Sequence, residues 1–182
     1  MAIICLYGAA SDRISDDYRD DVFSLGQEIG RRGHKLIYGA GSTGLMGAAA
    51  RGMDDVGGHV IGVTPHFMHD IEPIYNCTEL INTETMAERK FIMEQRGEAF
   101  VIVPGGIGTF DEFFQVLTLK ELGQLGNKPI VLFNVDGYYN PLVDAIRYGF
   151  KRGFVRQGAL DLFHVCDTPA DVLSIIEAEL AQ

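Results

Sequence analysis

Phe100-Val101-Ile102-Val103-Pro104-Gly105-Gly106-Ile107-Gly108-Thr109-Phe110-Asp111-Glu112 is the stretch that decides how this chain is read. Its first four residues are apolar without interruption, as in a strand covered on both faces. Three glycines then free the backbone to turn. A helical pattern follows at once, predicted over 110–122. A buried strand that passes through glycines into a helix is one unit of an α/β fold with a parallel sheet.

The same unit recurs on both sides. Short apolar runs at Ile3–Tyr7, Lys35–Tyr38, His59–Val63, Pro129–Phe133 and Leu162–Val165 read as further strands. Helices are predicted at 16–32, 45–56, 85–96, 141–152 and 170–180, the last announced by Asp167-Thr168-Pro169. The alternation predicts a Rossmann-like three-layer α/β sandwich with a mostly parallel sheet of six or seven strands. A chain of 182 residues suits a single nucleotide-binding α/β domain over 1–182. The longest stretch without pattern is Thr64–Asn82, read as a functional or poorly ordered loop.

Composition narrows the class. A net charge of −10 argues against a nucleic-acid surface. A small phosphorylated ligand stays compatible, because backbone N–H groups bind phosphate without net positive charge. No apolar run is long enough for a membrane helix, and the first residues lack the pattern of a signal peptide. Cys5, Cys77 and Cys166 are odd in number and far apart, which fits a reduced cytoplasmic protein.

In such folds ligands gather at the carboxyl ends of the strands. Three exits matter there. The first, Gly8-Ala9-Ala10-Ser11, reads by itself as a plain strand-to-helix turn. The second, Gly39-Ala40-Gly41-Ser42-Thr43-Gly44, matches G-x-G-x-x-G. It follows the second strand, however, and the acid expected at the end of the next strand is replaced by Val63-Thr64-Pro65. No Gly-Lys-Ser/Thr completes a Walker A loop. Gly41 and Ser42 are therefore read as part of an anion- or ribose-friendly turn.

The third exit, Pro104–Thr109, combines mobile backbone N–H groups with the positive end of a helix dipole, and predicts a phosphate site. Thr109-x-x-Glu112 is also a capping box, in which both side chains would only satisfy free N–H groups. Glu112 lies about 5 Å along the axis from the helix start, close enough to meet a sugar whose phosphate rests on the turn. Asp111, rotated about 100° from it, is read as a solvated acid. The preceding helix runs antiparallel to its strand and starts with Thr85-x-x-Glu88, a second capping box. That puts Arg89 and Lys90 at the same edge. Arg89 is either a fork for phosphate or ribose hydroxyls, or an orienter of Glu112 that would hold it ionised, or else a surface cation paired with Glu88, Glu94 or an acid of a neighbouring loop.

Met86-x-x-Arg89-Lys90 followed by Pro104-Gly-Gly-x-Gly-Thr-x-x-Glu112 resembles the paired signature of the Lonely Guy family. Its members are cytokinin riboside 5'-monophosphate phosphoribohydrolases, and many carry the label lysine decarboxylase. The likeness extends over Gly39–Gly47, Gly58–Pro65, Lys128-Pro129 and Asp136–Tyr139. It implies hydrolysis of the N-glycosidic bond of an adenine-type nucleoside monophosphate, to free base and ribose 5-phosphate. It implies Arg89 and Glu112 as the catalytic pair, with Gly105, Gly106, Gly108 and Thr109 on the phosphate. Lys90, Met86 and Glu79 would line the substrate site. It implies no cofactor and no metal, and a homodimer with its sites near the interface. Departures are Gly8-Ala9-Ala10 for Gly-Ser-Ser, Ala40 for a glycine and Ile107 for an aromatic.

Three other functions compete. A pyridoxal-phosphate decarboxylase needs a Schiff-base lysine, and the one His-Lys pair, His34-Lys35, sits at the wrong edge. A non-catalytic carrier of a nucleotide or phosphorylated cofactor could use the same fold; the presence of both Arg89 and Glu112 counts against it. A nucleosidase acting on unmodified AMP would share every motif. His66-x-x-His69 has no third ligand and reads as an exposed loop pair. Finally, Phe110, Phe113, Phe114, Val116, Leu117, Leu119, Leu122 and Leu125 cover more than one helical face, which predicts burial on several sides, a subunit interface among them.

Overall fold

The computed structural model describes residues 1–182. The chain alternates strand and helix almost throughout: β1 (Ile3–Tyr7), α1 (Asp16–Arg31), β2 (Lys35–Tyr38), α2 (Gly44–Asp55), β3 (Val60–Pro65), β4 (Glu79–Thr83), α3 (Met86–Arg96), β5 (Ala99–Ile102), α4 (Ile107–Glu121), β6 (Ile130–Phe133), α5 (Asn140–Lys151), β7 (His164–Cys166) and α6 (Pro169–Leu180). Short 3-10 turns fill some of the connections, one of them at His66–Asp70.

All seven strands are parallel, in the order β4-β3-β2-β1-β5-β6-β7. Six occupy the expected stretches to within two residues. The seventh, β4, falls at the end of the stretch read as a loop and runs one residue past it. It is an edge strand paired only with β3, and its burial alternates instead of being complete. Its polar Glu79, Asn82 and Thr83 therefore carry no buried-strand signal.

Apolar cores lie on both faces of the sheet. On one, Val22, Leu25 and Ile29 of α1 join Met53 of α2 and Val172 and Ile176 of α6. On the other, Met93 of α3 joins Phe113 and Val116 of α4 and Val143 and Ile146 of α5. The result is the expected three-layer sandwich. Cys5 and Cys166 are buried in these cores, Cys77 is half-buried, and none is bridged.

Chain order reverses at β1. From there the strands run outward to β4 on one side and to β7 on the other, through β5. The crevice outside the carboxyl ends of β1 and β5 is therefore the topological switch point, where open α/β sheets bind ligands.

Candidate active site

A cavity of about 360 Å³ opens at this switch point. Gly8 to Ser11 enter it from the exit of β1, Met46 from α2, and Met68 and Glu72 from the connection after β3. Met86, Arg89 and Lys90 come from α3, and Gly106, Gly108, Thr109, Asp111 and Glu112 from the start of α4. Residues from five segments of the chain thus meet at one edge. A second hollow of about 350 Å³ lies behind the turn; Ile14, Tyr18 and Tyr138 wall it, and no charged side chain lines it.

The turn before α4 is held by its carbonyls. Tyr139 donates its hydroxyl to Val103 O at 2.7 Å, Tyr138 to Gly105 O at 2.6 Å, and Ala9 its N–H to Pro104 O at 3.1 Å. None of the N–H groups of Gly105 to Thr109 donates to a protein acceptor. Five consecutive donors at a helix N-terminus form an anion receptor. Gly105 is required by packing, because a Cβ there would stand 2.1 Å from Thr109 Oγ1. At Gly106 and Gly108 a Cβ would meet no protein atom within 4 Å. Both face the cavity, so their lack of a side chain leaves the approach to the backbone open.

The capping reading of Thr109 and Glu112 fails. The helix begins at Ile107 with Gly106 as its N-cap, three residues ahead of the expected start. Thr109 is already in the third helical position, and Glu112 lies in the second turn, too far along to reach the free N–H groups. The other capping box forms: Thr85 Oγ1 accepts from Glu88 N at 3.1 Å, and the Glu88 carboxylate accepts from Glu84 N at 2.8 Å. It anchors the start of α3 one turn before Arg89.

Arg89 is no surface cation. It is only 7% exposed, forms no salt bridge, and its Nε has no hydrogen-bond partner. Its guanidinium occupies the space beside the exit of β2; a Cβ on Gly39 would stand 1.8 Å from Nη2. Lys90 takes a different course and binds Asp111 at 2.6 Å, so Asp111 ties α4 to α3 and is not simply solvated. Gln115 of α4 donates to Glu94 of α3 in a second tie.

Glu112 makes no side-chain hydrogen bond, and its carboxyl is pushed up to about 7. Burial is the main cause; Arg89 and Lys90 pull the other way, and Asp111 adds to the rise. The expectation that Arg89 would simply hold this acid ionised is therefore corrected: desolvation outweighs the cation. An acid balanced near neutrality can exchange a proton during a reaction.

The other expected residues fall elsewhere. Glu79 stands at the amino end of β4, opposite the cavity, where it binds Arg96 at 2.6 Å. That pair holds its carboxyl below the usual range. Gly41 and Ser42 lie against the connection after β3: Gly41 bridges Ile74, and Ser42 N donates to Pro73 O at 3.0 Å. They shape the wall and do not line the cavity. His66 and His69 do not converge on a metal; His69 pairs with Asn82 at 2.9 Å and His66 faces Glu84. Glu72, Met46 and Met68 were not anticipated. The signal for Glu72 was present, since it lies in the irregular connection that leaves the carboxyl end of a strand.

Comparison with known proteins places this geometry. The family described as "Possible lysine decarboxylase" matches residues 46–176. A probable cytokinin riboside 5'-monophosphate phosphoribohydrolase of Oryza sativa subsp. japonica is 35% identical, over 96% of this chain and 71% of its own. The chain belongs to the Lonely Guy family. A cytokinin riboside 5'-monophosphate phosphoribohydrolase of Arabidopsis thaliana is 34% identical, over 96% of this chain and 81% of its own. Among solved structures, the molybdenum cofactor carrier protein of Chlamydomonas reinhardtii superposes with a TM-score of 0.76 at 25% identity, covering 100% of this chain and 99% of that one. The molybdenum cofactor binding protein of Rippkaea orientalis gives 0.74 at 19% identity, over 98% and 97%, a likeness of fold.

Proposed function

We propose that this member of the Lonely Guy family hydrolyses the N-glycosidic bond of adenine-type nucleoside 5'-monophosphates, releasing the free base and ribose 5-phosphate. One observation carries the reading. A half-buried acid balanced near neutrality, Glu112, and a buried guanidinium without a carboxylate partner, Arg89, share a cavity with free N–H groups at a helix start.

The parts divide by chemistry. The 5'-phosphate accepts from the N–H groups of Gly105 to Thr109, helped by the dipole of α4. Thr109 adds its hydroxyl. The ribose then lies beside Glu112. As the bond to the base breaks, positive charge develops at C1' and the ring oxygen. The Glu112 carboxylate stabilises that charge and takes a proton from the attacking water. Arg89 grips the sugar-phosphate and keeps part of the Glu112 population ionised. Lys90 and Asp111 hold α3 and α4 in register, and Met86 closes the wall beside Arg89, its Sδ 3.7 Å from Nη1.

The functional unit is a homodimer in the cytoplasm. Apolar side chains on the outer faces of α4 and α5 support this. Phe114, Leu122 and Phe150 are each more than two-fifths exposed, and Phe154 just beyond α5 is 87% exposed.

The test is incubation with AMP and with its N6-isopentenyl form, following free base by chromatography. Release of base with an equal amount of ribose 5-phosphate is expected. A carrier, suggested by the likeness to the molybdenum cofactor carrier, would bind the nucleotide and release nothing; that outcome removes the hydrolase reading.

A further inference from the structure

The expected chemistry leaves one carboxyl of the cavity without work. Glu72 is half-buried, and its side chain makes no hydrogen bond. Its backbone is firmly placed. Glu72 N donates to Met68 O at 3.0 Å, Ser42 N to Pro73 O at 3.0 Å, and Tyr75 N to Ala40 O at 2.8 Å. This strap crosses the exit of β2 and sets the carboxyl over Gly41, its Oε1 3.6 Å from where a Cβ would be.

Strand spacing says what lies beneath it. The phosphate turn leaves β5, and β1 stands between β5 and β2. Neighbouring strands are about 4.8 Å apart, so the two exits are separated by roughly 10 Å. On the hydrolase reading, a nucleotide with its phosphate on the β5 turn would have its sugar over β1 and its base over β2. The wall there contains Met46, Met68 and Met86, polarisable side chains suited to the face of a purine.

We propose that Glu72 is the general acid that protonates the departing base, acting opposite Glu112 in a two-carboxyl arrangement. The proposal rests on the hydrolase reading above. When the bond from C1' to the purine breaks, its electron pair stays on the base. Glu72, in its acid form, gives its proton to a ring nitrogen, so that the base leaves neutral. Water adds to C1', and its proton passes to the Glu112 carboxylate. Solvent exchange then restores both groups. Enzymes that invert at a sugar carbon divide labour between two carboxyls in this way. Burial raises the Glu72 carboxyl while Arg89 lowers it, and burial is the larger effect, which favours the acid form this role needs.

Glu72→Gln keeps the shape and removes the proton. With AMP its kcat should fall by about two decades or more, with KM little changed. The deciding readout is a series of purine ribonucleotides, 6-chloropurine among them, whose bases leave progressively more easily as anions. Under this proposal the loss shrinks along the series, because a better leaving group needs less help from an acid. An equal loss on every substrate, as misfolding or misplacement would give, overturns it. So does undiminished turnover of AMP by the variant. A wild-type chain that releases no base from any purine nucleotide overturns the hydrolase reading as well, and that failure is seen before any variant is made.

Discussion

Removing a carboxylate from water favours its neutral form, and a nearby cation favours the charged one; at Glu112 the first effect wins. Ionising an acid whose carboxyl has moved from 4.5 to about 7 costs the fold on the order of 3 kcal/mol. The sign is set by the direction. Between those values the folded chain keeps a proton that the unfolded chain releases, so this stability is present below pH 4.5 and lost as the pH rises towards 7. Glu112→Gln removes the dependence. The variant should melt above the wild type at pH 8 and by a smaller margin at pH 5, at roughly 2–4 °C per kcal/mol for a chain of this length. The same substitution should lower kcat by about two decades or more, and Arg89→Ala should do likewise. Near-normal turnover in Glu112→Gln would remove this residue from the mechanism, whatever its effect on melting. The wild-type rate should itself fall as the pH drops below about 7, because the deprotonated form that serves as the base is the minority there.

Among the elements, the start of α4 offers a cleaner separation of folding from binding. Gly108 occupies the second helical position, and a Cβ there points into open space beside the cavity. Gly108→Ala should leave stability unchanged or raise it by up to about 1 kcal/mol, since alanine favours a helix. KM for the nucleotide should rise, because the methyl group narrows the approach to the N–H groups. Gly105→Ala should do the reverse, destabilising the turn against Thr109 before any ligand is present. Denaturation curves and steady-state kinetics on the two variants test this; a Gly108→Ala enzyme with wild-type KM argues against phosphate at the turn. The helix also shows where sequence reading stops. The glycines and the strand before them were legible because they follow from backbone geometry. The exact helix start was not, since Thr109 and Glu112 satisfy a capping pattern that the chain does not use. The Thr85 box, of identical form, is used. Burial of Arg89 beside Gly39, and β4 with its half-exposed face, depend on tertiary neighbours that local pattern does not carry.

For the whole molecule, the apolar pattern of α4 exceeds what its own sheet covers. Only Thr109, Phe113 and Val116 of this helix are buried, while Phe114 remains 42% exposed. Phe114 and Leu117 instead border a groove of about 230 Å³ shared with Ile146 of α5 and with Phe154 and Leu162 beyond it. Under the proposed dimer, an apolar surface of this kind, on a chain whose net charge of −10 would otherwise favour dispersal, would be the association site. A second copy can cover it by two-fold symmetry, each subunit presenting the same patch. The helix this proposal puts in the interface is also the one that begins at the Pro104–Gly106 turn and carries Glu112, so dimer formation and the proposed active site would be mechanically joined. Phe154→Glu should therefore convert a dimer to a monomer in light scattering at micromolar concentration, because the buried charge would have no partner. Turnover should fall with the dimer fraction, although Phe154 does not border the active-site cavity. A wild-type chain that scatters as a monomer would overturn the dimer, and a fully active monomeric variant would show that α4 holds its catalytic end without help from a second copy.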